Sequence, residues 1–148
     1  MNTIVHAVLG DRDVSVDLNI EDAAEVTPEL LGRAAQFVTR LADFDATALA
    51  ALRQSYDGES GPAVTIYVSH HLEEVSAEAL TEIFGKPKKS LAVHDFLARL
   101  ILKRVWLHLS KSDGYATLDY TTGADVTQYI LAVRIDEEGE VLGVEMES

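Results

Sequence analysis

Short apolar runs, separated by Gly and Asp, occur at both ends of the chain and predict strands of an antiparallel sheet. Near residue 1 they predict a hairpin formed by Ile4–Leu9 and Val14–Ile20. Near residue 148 they predict three further strands, at Tyr115–Thr121, Thr127–Ile135 and Glu140–Met146. Gly can take the positive φ that a tight reversal needs, so the breaks between these runs indicate hairpin turns.

The middle of the chain has the spacing of amphipathic helices. Thr27 followed by Pro28 is typical of a helix start, because a hydroxyl caps the first amides and proline suits the first helical position. Asp45 is predicted to cap a second helix, and Ser76 a later helix that ends at Gly85.

Pro62–Val75 has the composition of a strand in its first half, yet its apolar residues recur on one helical face, which favours a helix. Ser90–Ala98 is predicted to be a short helix. Arg99–Ser110 is almost continuously apolar and predicts an interior strand covered on both faces. We therefore expect one α+β domain over residues 1–148. Its antiparallel sheet would join the first hairpin to a four-strand meander, with several helices packed on one face.

The composition narrows the class of protein. The chain has 148 residues, 47% of them hydrophobic, and no cysteine, which excludes disulfides, thiolate metal sites and cysteine nucleophiles. The first apolar run has no basic residue before it and no segment has the length of a membrane span, so we expect a cytoplasmic protein without a signal peptide. The sequence contains no phosphate-binding glycine loop, dinucleotide fingerprint or Gly-x-Ser-x-Gly motif, and we expect no cofactor.

The net charge is −13 and is unevenly distributed. Seven of the twelve basic residues lie between positions 86 and 111, where Asp95 is the single acidic residue. So acidic a chain repels nucleic acids and anionic membranes, and we expect it to bind neither. The acidity serves either solubility or the attraction of a basic protein partner.

A histidine cluster is the first candidate site. If the segment around it is helical, His70 and Glu74 are neighbours at i, i+4 and His71 and Glu74 at i, i+3. Imidazole and carboxylate groups at these spacings can share a divalent metal, which predicts a metal-binding protein or metal-dependent enzyme. The structural alternative places His71 in the core and the other two side chains in solvent.

Two other groups of residues carry polar or aromatic side chains. The basic segment with Trp106 and His108 has the composition of an RNA-binding surface, or of cations that pair with Asp119 and its neighbours. The group around Asp119, Asp125 and Tyr129 could perform acid–base chemistry if burial raises a pKa, or could form a hydrogen-bonded hairpin loop.

Five stretches of the sequence carry a resemblance to a known family, namely Leu118–Thr121, Thr127–Val133, Ile135–Glu140, Glu145–Ser148 and His70–Glu74. They resemble an uncharacterised bacterial family catalogued as domain of unknown function two thousand and four. It implies a small, acidic, cytoplasmic α+β protein with no established activity, and it transfers no functional residue. In general character such proteins resemble bacterial immunity proteins, which neutralise toxins.

The sequence thus predicts a non-enzymatic module that binds a basic protein partner, in the manner of an immunity-type inhibitor. The surface we expect to bind consists of Asp119, Asp125, Tyr129, Glu138 and Glu140. The alternative hypotheses are a metal site at His70, His71 and Glu74, and a structural subunit that self-associates through a sheet edge.

Overall fold

A computed structural model describes residues 2–10, 12–19, 26–57, 63–108, 115–122 and 129–147. The described residues form an α+β fold, as predicted. The strands are β1 Asn2–Leu9, β2 Arg12–Asn19, β3 Ile101–Leu107, β4 Ala116–Thr121, β5 Ile130–Ile135 and β6 Val141–Glu147. The helices are α1 Pro28–Thr39, α2 Leu41–Asp57, α3 Ala63–Glu74, α4 Ala77–Phe84 and α5 Val93–Arg99, and Lys88–Ser90 forms a 3₁₀ turn.

All six strands lie in one sheet, in the order of the sequence. This confirms that the first hairpin and the four-strand meander share a sheet. The prediction that the sheet is antiparallel throughout is wrong at one position. Strands β2 and β3 pair in parallel, with Val16 opposite Val105. The reason is the long connection between them: five α-helices are described between β2 and β3, so the chain can cross over and return in the same direction.

The helices pack on one face of the sheet and enclose a single hydrophobic core. Alternate residues of β2 to β5 point into this core. Those at most 1% exposed are Val14, Val16, Leu18, Val105, Leu107, Ala116, Leu118, Tyr120, Leu131, Val133 and Ile135. Phe37 and Phe44 stack at 5.1 Å between ring centroids and cover the edge of the Tyr115 ring. The opposite side carries the residues that alternate with these core positions. We call it the helix-free face, because the described helices pack on the other side of the sheet.

Two of the predicted helix caps are present. Thr27 Oγ1 accepts a hydrogen bond from the Leu30 amide at 3.1 Å, and Ser76 Oγ accepts one from Ala79 at 3.1 Å. The cap predicted at Asp45 is wrong, because α2 begins four residues earlier, at Leu41. Inside α2 the Asp45 carboxylate accepts a 2.6 Å hydrogen bond from the buried Tyr120 hydroxyl instead.

The ambiguous segment is helical from Ala63 to Glu74, as the sequence favoured. The helix predicted at Ser90–Ala98 begins later, at Val93, because the Asp95 carboxylate accepts a 2.8 Å hydrogen bond from the Ala92 amide and fixes the start.

Strand β3 is interior, third of six, as expected. The prediction that both its faces are covered is wrong, because Lys103 and Arg104 are exposed. None of the described helices has the length and apolar character needed to cross a membrane.

Candidate functional site

The strand register brings a tryptophan and two carboxylates together on the helix-free face. Asp17 on β2 lies opposite Trp106 on β3, and Arg104 lies opposite Asp119 on β4. Neighbouring strands run about 4.8 Å apart, so Asp17 and Asp119 flank the strand that carries the indole. We call Asp17, Trp106 and Asp119 the Trp106 site.

Asp119 is 5% exposed, and one of its two carboxylate oxygens is hydrogen-bonded to the indole. Its Oδ2 accepts a 2.9 Å hydrogen bond from Trp106 Nε1, whereas its Oδ1 has no partner among the described residues. Burial raises the pKa of Asp119 to about 6, and the indole hydrogen bond and the charges of Arg104 and Lys103 offset this only in part. The carboxylate is therefore mostly ionised at pH 7 and becomes neutral in mildly acidic solution.

Two more polar atoms on this face are buried without a hydrogen-bond partner in the described part of the chain. One is Oδ1 of Asp17, whose side chain is 6% exposed, and the other is Nε of Arg134 on β5. Buried polar atoms normally have partners, because desolvation without a compensating hydrogen bond costs about 1–3 kcal/mol. Two carboxylate oxygens beside one indole, both without a hydrogen-bond partner among the described residues, therefore distinguish this part of the sheet.

Arg104 shows what kind of group the indole accepts. Its guanidinium carbon lies 5.4 Å from the centroid of the Trp106 ring, within the range of a cation–π contact. Arg104 is itself exposed and extends from the helix-free face. The sequence-based expectation that cations of the basic segment meet Asp119 thus has a physical counterpart in Arg104 and Lys103, which both lower the pKa of that carboxyl.

The predicted histidine cluster lies elsewhere, on α3 next to the start of β5. His70 stacks on Tyr129 at 4.6 Å between centroids, and its Nδ1 is 3.3 Å from Oε2 of Glu74. A hydrogen bond to Glu74 raises the pKa of the Tyr129 hydroxyl. His70, Glu74 and Tyr129 therefore form one interacting group at the protein surface.

His71 points the other way, into the core. It is 2% exposed, its Nδ1 lies 2.8 Å from the Tyr67 carbonyl oxygen, and its ring packs at 4.3 Å from Tyr67. Burial lowers the pKa of His71, so its ring is neutral and donates through Nδ1–H to the carbonyl. Within the described ranges no three His, Cys, Asp or Glu side chains are arranged to hold a metal ion.

Four of the five residues predicted to form a binding surface are described, and the structure does not bring these four together. Asp119 is buried in the middle of the helix-free face, and Asp125 lies outside the described residues. Tyr129 precedes β5, whereas Glu138 and Glu140 follow it in an exposed turn, roughly 20 Å away at about 3.3 Å per residue.

Sequence reasoning did not single out Asp17 as a functional residue. Its alternation with Val16 and Leu18 indicates an outward polar position, and only the parallel register of β2 and β3 places it beside Trp106. The sequence predicts that cations of the Trp106 segment pair with Asp119, but it does not predict the hydrogen bond from the indole, because no local pattern connects residues on different strands. The chain matches no family model, no curated protein and no solved structure.

Proposed function

We propose that this chain is a non-enzymatic binding module that holds a cationic side chain of a basic protein partner at the Trp106 site. The observation that carries the proposal is Asp119, a carboxylate 5% exposed, bonded to the indole through one oxygen and lacking a described partner for the other. A cation from a partner would supply the missing hydrogen bond after the groups that cover this buried oxygen move aside.

The chemistry of the site favours an arginine or lysine side chain. A guanidinium or ammonium group satisfies carboxylate oxygens with charge-assisted hydrogen bonds, each worth about 1.5–3 kcal/mol. The indole face adds a cation–π attraction of about 0.5–2 kcal/mol. The approach of Arg104 to the same ring supports this preference within the chain itself.

The charge of the rest of the protein favours the same partner. The chain carries −13 overall, and Glu145 and Glu147 on β6 are exposed on the helix-free face. A negative electrostatic field of this kind accelerates the association of a basic protein, and added salt weakens the field by screening. An immunity-type inhibitor of a basic toxin is one function that such a module would serve.

The site contains its own optical probe, because Trp106 is the one tryptophan in the sequence. We would titrate an arginine-rich decapeptide into the protein and follow tryptophan fluorescence at about 50 mM and about 500 mM salt, which bracket charge screening. We expect a saturable change at low salt that weakens at high salt.

Substitutions separate the Trp106 site from general charge attraction. We expect Asp119→Asn and Asp17→Asn each to weaken peptide binding about tenfold or more. Glu82→Gln makes the same change in net charge on an exposed position of α4 and should leave binding nearly unchanged. Equal binding by Asp119→Asn and Glu82→Gln would mean that the peptide does not use the site.

A further inference from the structure

The two edges of the sheet differ sharply in charge. Edge strand β6 carries exposed carboxylates at Glu145 and Glu147, the usual device that prevents edge-to-edge pairing. Edge strand β1 reads Asn-Thr-Ile-Val-His-Ala-Val-Leu and contains no Asp, Glu, Lys, Arg or Pro. Its inner side pairs with β2, and no described strand pairs with its outer side.

Strand β1 also exposes two large apolar side chains on the helix-free face. Ile4 is 52% exposed and Val8 is 69% exposed, and both lie two residues from His6. These two positions face the same side because their register partners, Asp17 and Asp13, alternate with the core residues of β2. An uncharged, unpaired edge with exposed apolar residues is a template for strand addition.

We propose that β1 pairs antiparallel with β1 of a second copy of this chain, about a two-fold axis at His6. In this register Ile4 of each copy lies opposite Val8 of the other, so all four exposed side chains are covered. A two-fold axis at Val5 would place Ile4 opposite His6, and an axis at Ala7 would place Val8 opposite His6. Either register leaves exposed apolar side chains without an apolar partner.

The charges of the two edge strands favour self-pairing through β1 over self-pairing through β6. Pairing through β1 brings no carboxylates of β1 together, whereas pairing through β6 would set Glu145 and Glu147 against their own copies. A basic segment would gain no ion pair from β1 itself, since the strand carries no acidic residue.

The dimer has a consequence for recognition. It would extend the sheet from six to twelve strands and place both Trp106 sites on one continuous face. Five strand spacings separate the two copies of β3, which puts the sites roughly 24 Å apart. A partner with two basic segments could then engage both sites at once.

Sedimentation velocity at about 100 μM protein tests the dimer. We expect a mass near twice the 16.2 kDa of one chain. Val8→Lys should shift it to the monomer, and Ile4→Lys should act in the same way if Val8→Lys folds poorly. Leu142→Lys, at a 48% exposed position on the opposite edge, should remain dimeric. A monomeric wild type, or dissociation by Leu142→Lys alone, would overturn the proposal.

A cross-link tests the position of the axis. The chain has no cysteine, so His6→Cys introduces a single thiol. Residues opposite each other in antiparallel strands lie about 4.5–5.5 Å apart, within reach of a disulfide. Oxidised glutathione should convert His6→Cys into a disulfide-linked dimer and leave Leu142→Cys unlinked. Equal cross-linking of both variants would rule out the His6 axis.

Discussion

Trp106 and Asp119 are joined by a hydrogen bond although they are not directly opposite in the sheet. The residue opposite Asp119 is Arg104, and the register of β3 and β4 shifts between Leu102 and Arg104. The indole reaches diagonally across to Oδ2 at 2.9 Å, and the guanidinium of Arg104 lies over the indole ring. The indole thus contacts both a cation and a buried carboxylate, close to the point where the register of β3 and β4 shifts.

Asp119 should make the protein less stable as the pH rises. Its pKa is about 6 in the folded state, above its usual 3.8. Below about pH 4 it is protonated in both states and contributes nothing. Between pH 4 and 6 the unfolded state loses the proton first, so the free energy of unfolding falls by roughly 1–3 kcal/mol.

Urea unfolding followed by Trp106 fluorescence measures this effect. Asp119→Asn keeps an oxygen that can accept from the indole but cannot ionise, so its stability advantage over wild type should grow from pH 4 to pH 6 and then level off. Glu82→Gln, which makes the same change in charge at an exposed position, is the matched control. A flat difference for Asp119→Asn would contradict the raised pKa.

The hydrogen bond between Tyr120 and Asp45 should be one of the stronger polar contacts in the core. Tyr120 is 0% exposed, and burial raises the pKa of its hydroxyl well above the usual range. Tyr120→Phe removes the 2.6 Å donor to the half-buried Asp45 carboxylate and should destabilise the protein by about 1–3 kcal/mol. Tyr129→Phe, whose hydroxyl meets the exposed Glu74, should cost clearly less in the same urea unfolding assay.

The same contact shows why the sequence predicts some features and not others. Thr27 and Ser76 act on amides three residues away, so a local pattern is enough to locate their caps. Asp45 has the residue type and position of a cap, but its partner Tyr120 lies 75 residues away and cannot be read from the pattern.

The candidate site follows the same rule. The alternation of β2 indicates the face on which Asp17 lies, and the apolar run around Trp106 predicts β3. The placement of Asp17 opposite Trp106 depends on the parallel pairing of those strands, which the described helices α1 to α5 separate in the sequence. The strand register therefore determines that the buried Asp17 and Asp119 lie close together on the helix-free face, and no local segment of the sequence predicts this.

As the pH falls, His71 should lower the free energy of unfolding, whereas Asp119 should raise it. Burial lowers the pKa of His71 below its usual 6.5, so the unfolded state binds a proton first as the pH falls through 6.5. Stability from this group is complete above about pH 6.5 and declines below it. His71→Gln keeps a donor for the Tyr67 carbonyl and should remove this decline, whereas His94→Gln, with a 76% exposed side chain, should retain it.

Gly139 and Gly85 both have positive φ, at 87° and 70°, but they should respond differently to substitution by alanine. At Gly85 a Cβ would meet nothing within 4 Å. Gly85→Ala should therefore lose only the stability that alanine costs in the left-handed backbone conformation, about 1–2 kcal/mol. At Gly139 a Cβ would also lie 3.1 Å from two ring carbons of Phe44, which is 2% exposed and packed in the core.

The turn at Gly139 has little room to relax, because Asp136 Oδ1 accepts hydrogen bonds of 2.9 Å from the amides of both Glu138 and Glu140. Gly139→Ala should therefore cost about 1–3 kcal/mol more than Gly85→Ala, the range found for overpacking a core. Urea unfolding of the two variants under one condition makes the comparison. Equal losses of unfolding free energy in the two variants would show that the turn moves away from Phe44. Such a movement would break the hydrogen bonds to Asp136, so adding Asp136→Ala to Gly139→Ala should then cause no further loss.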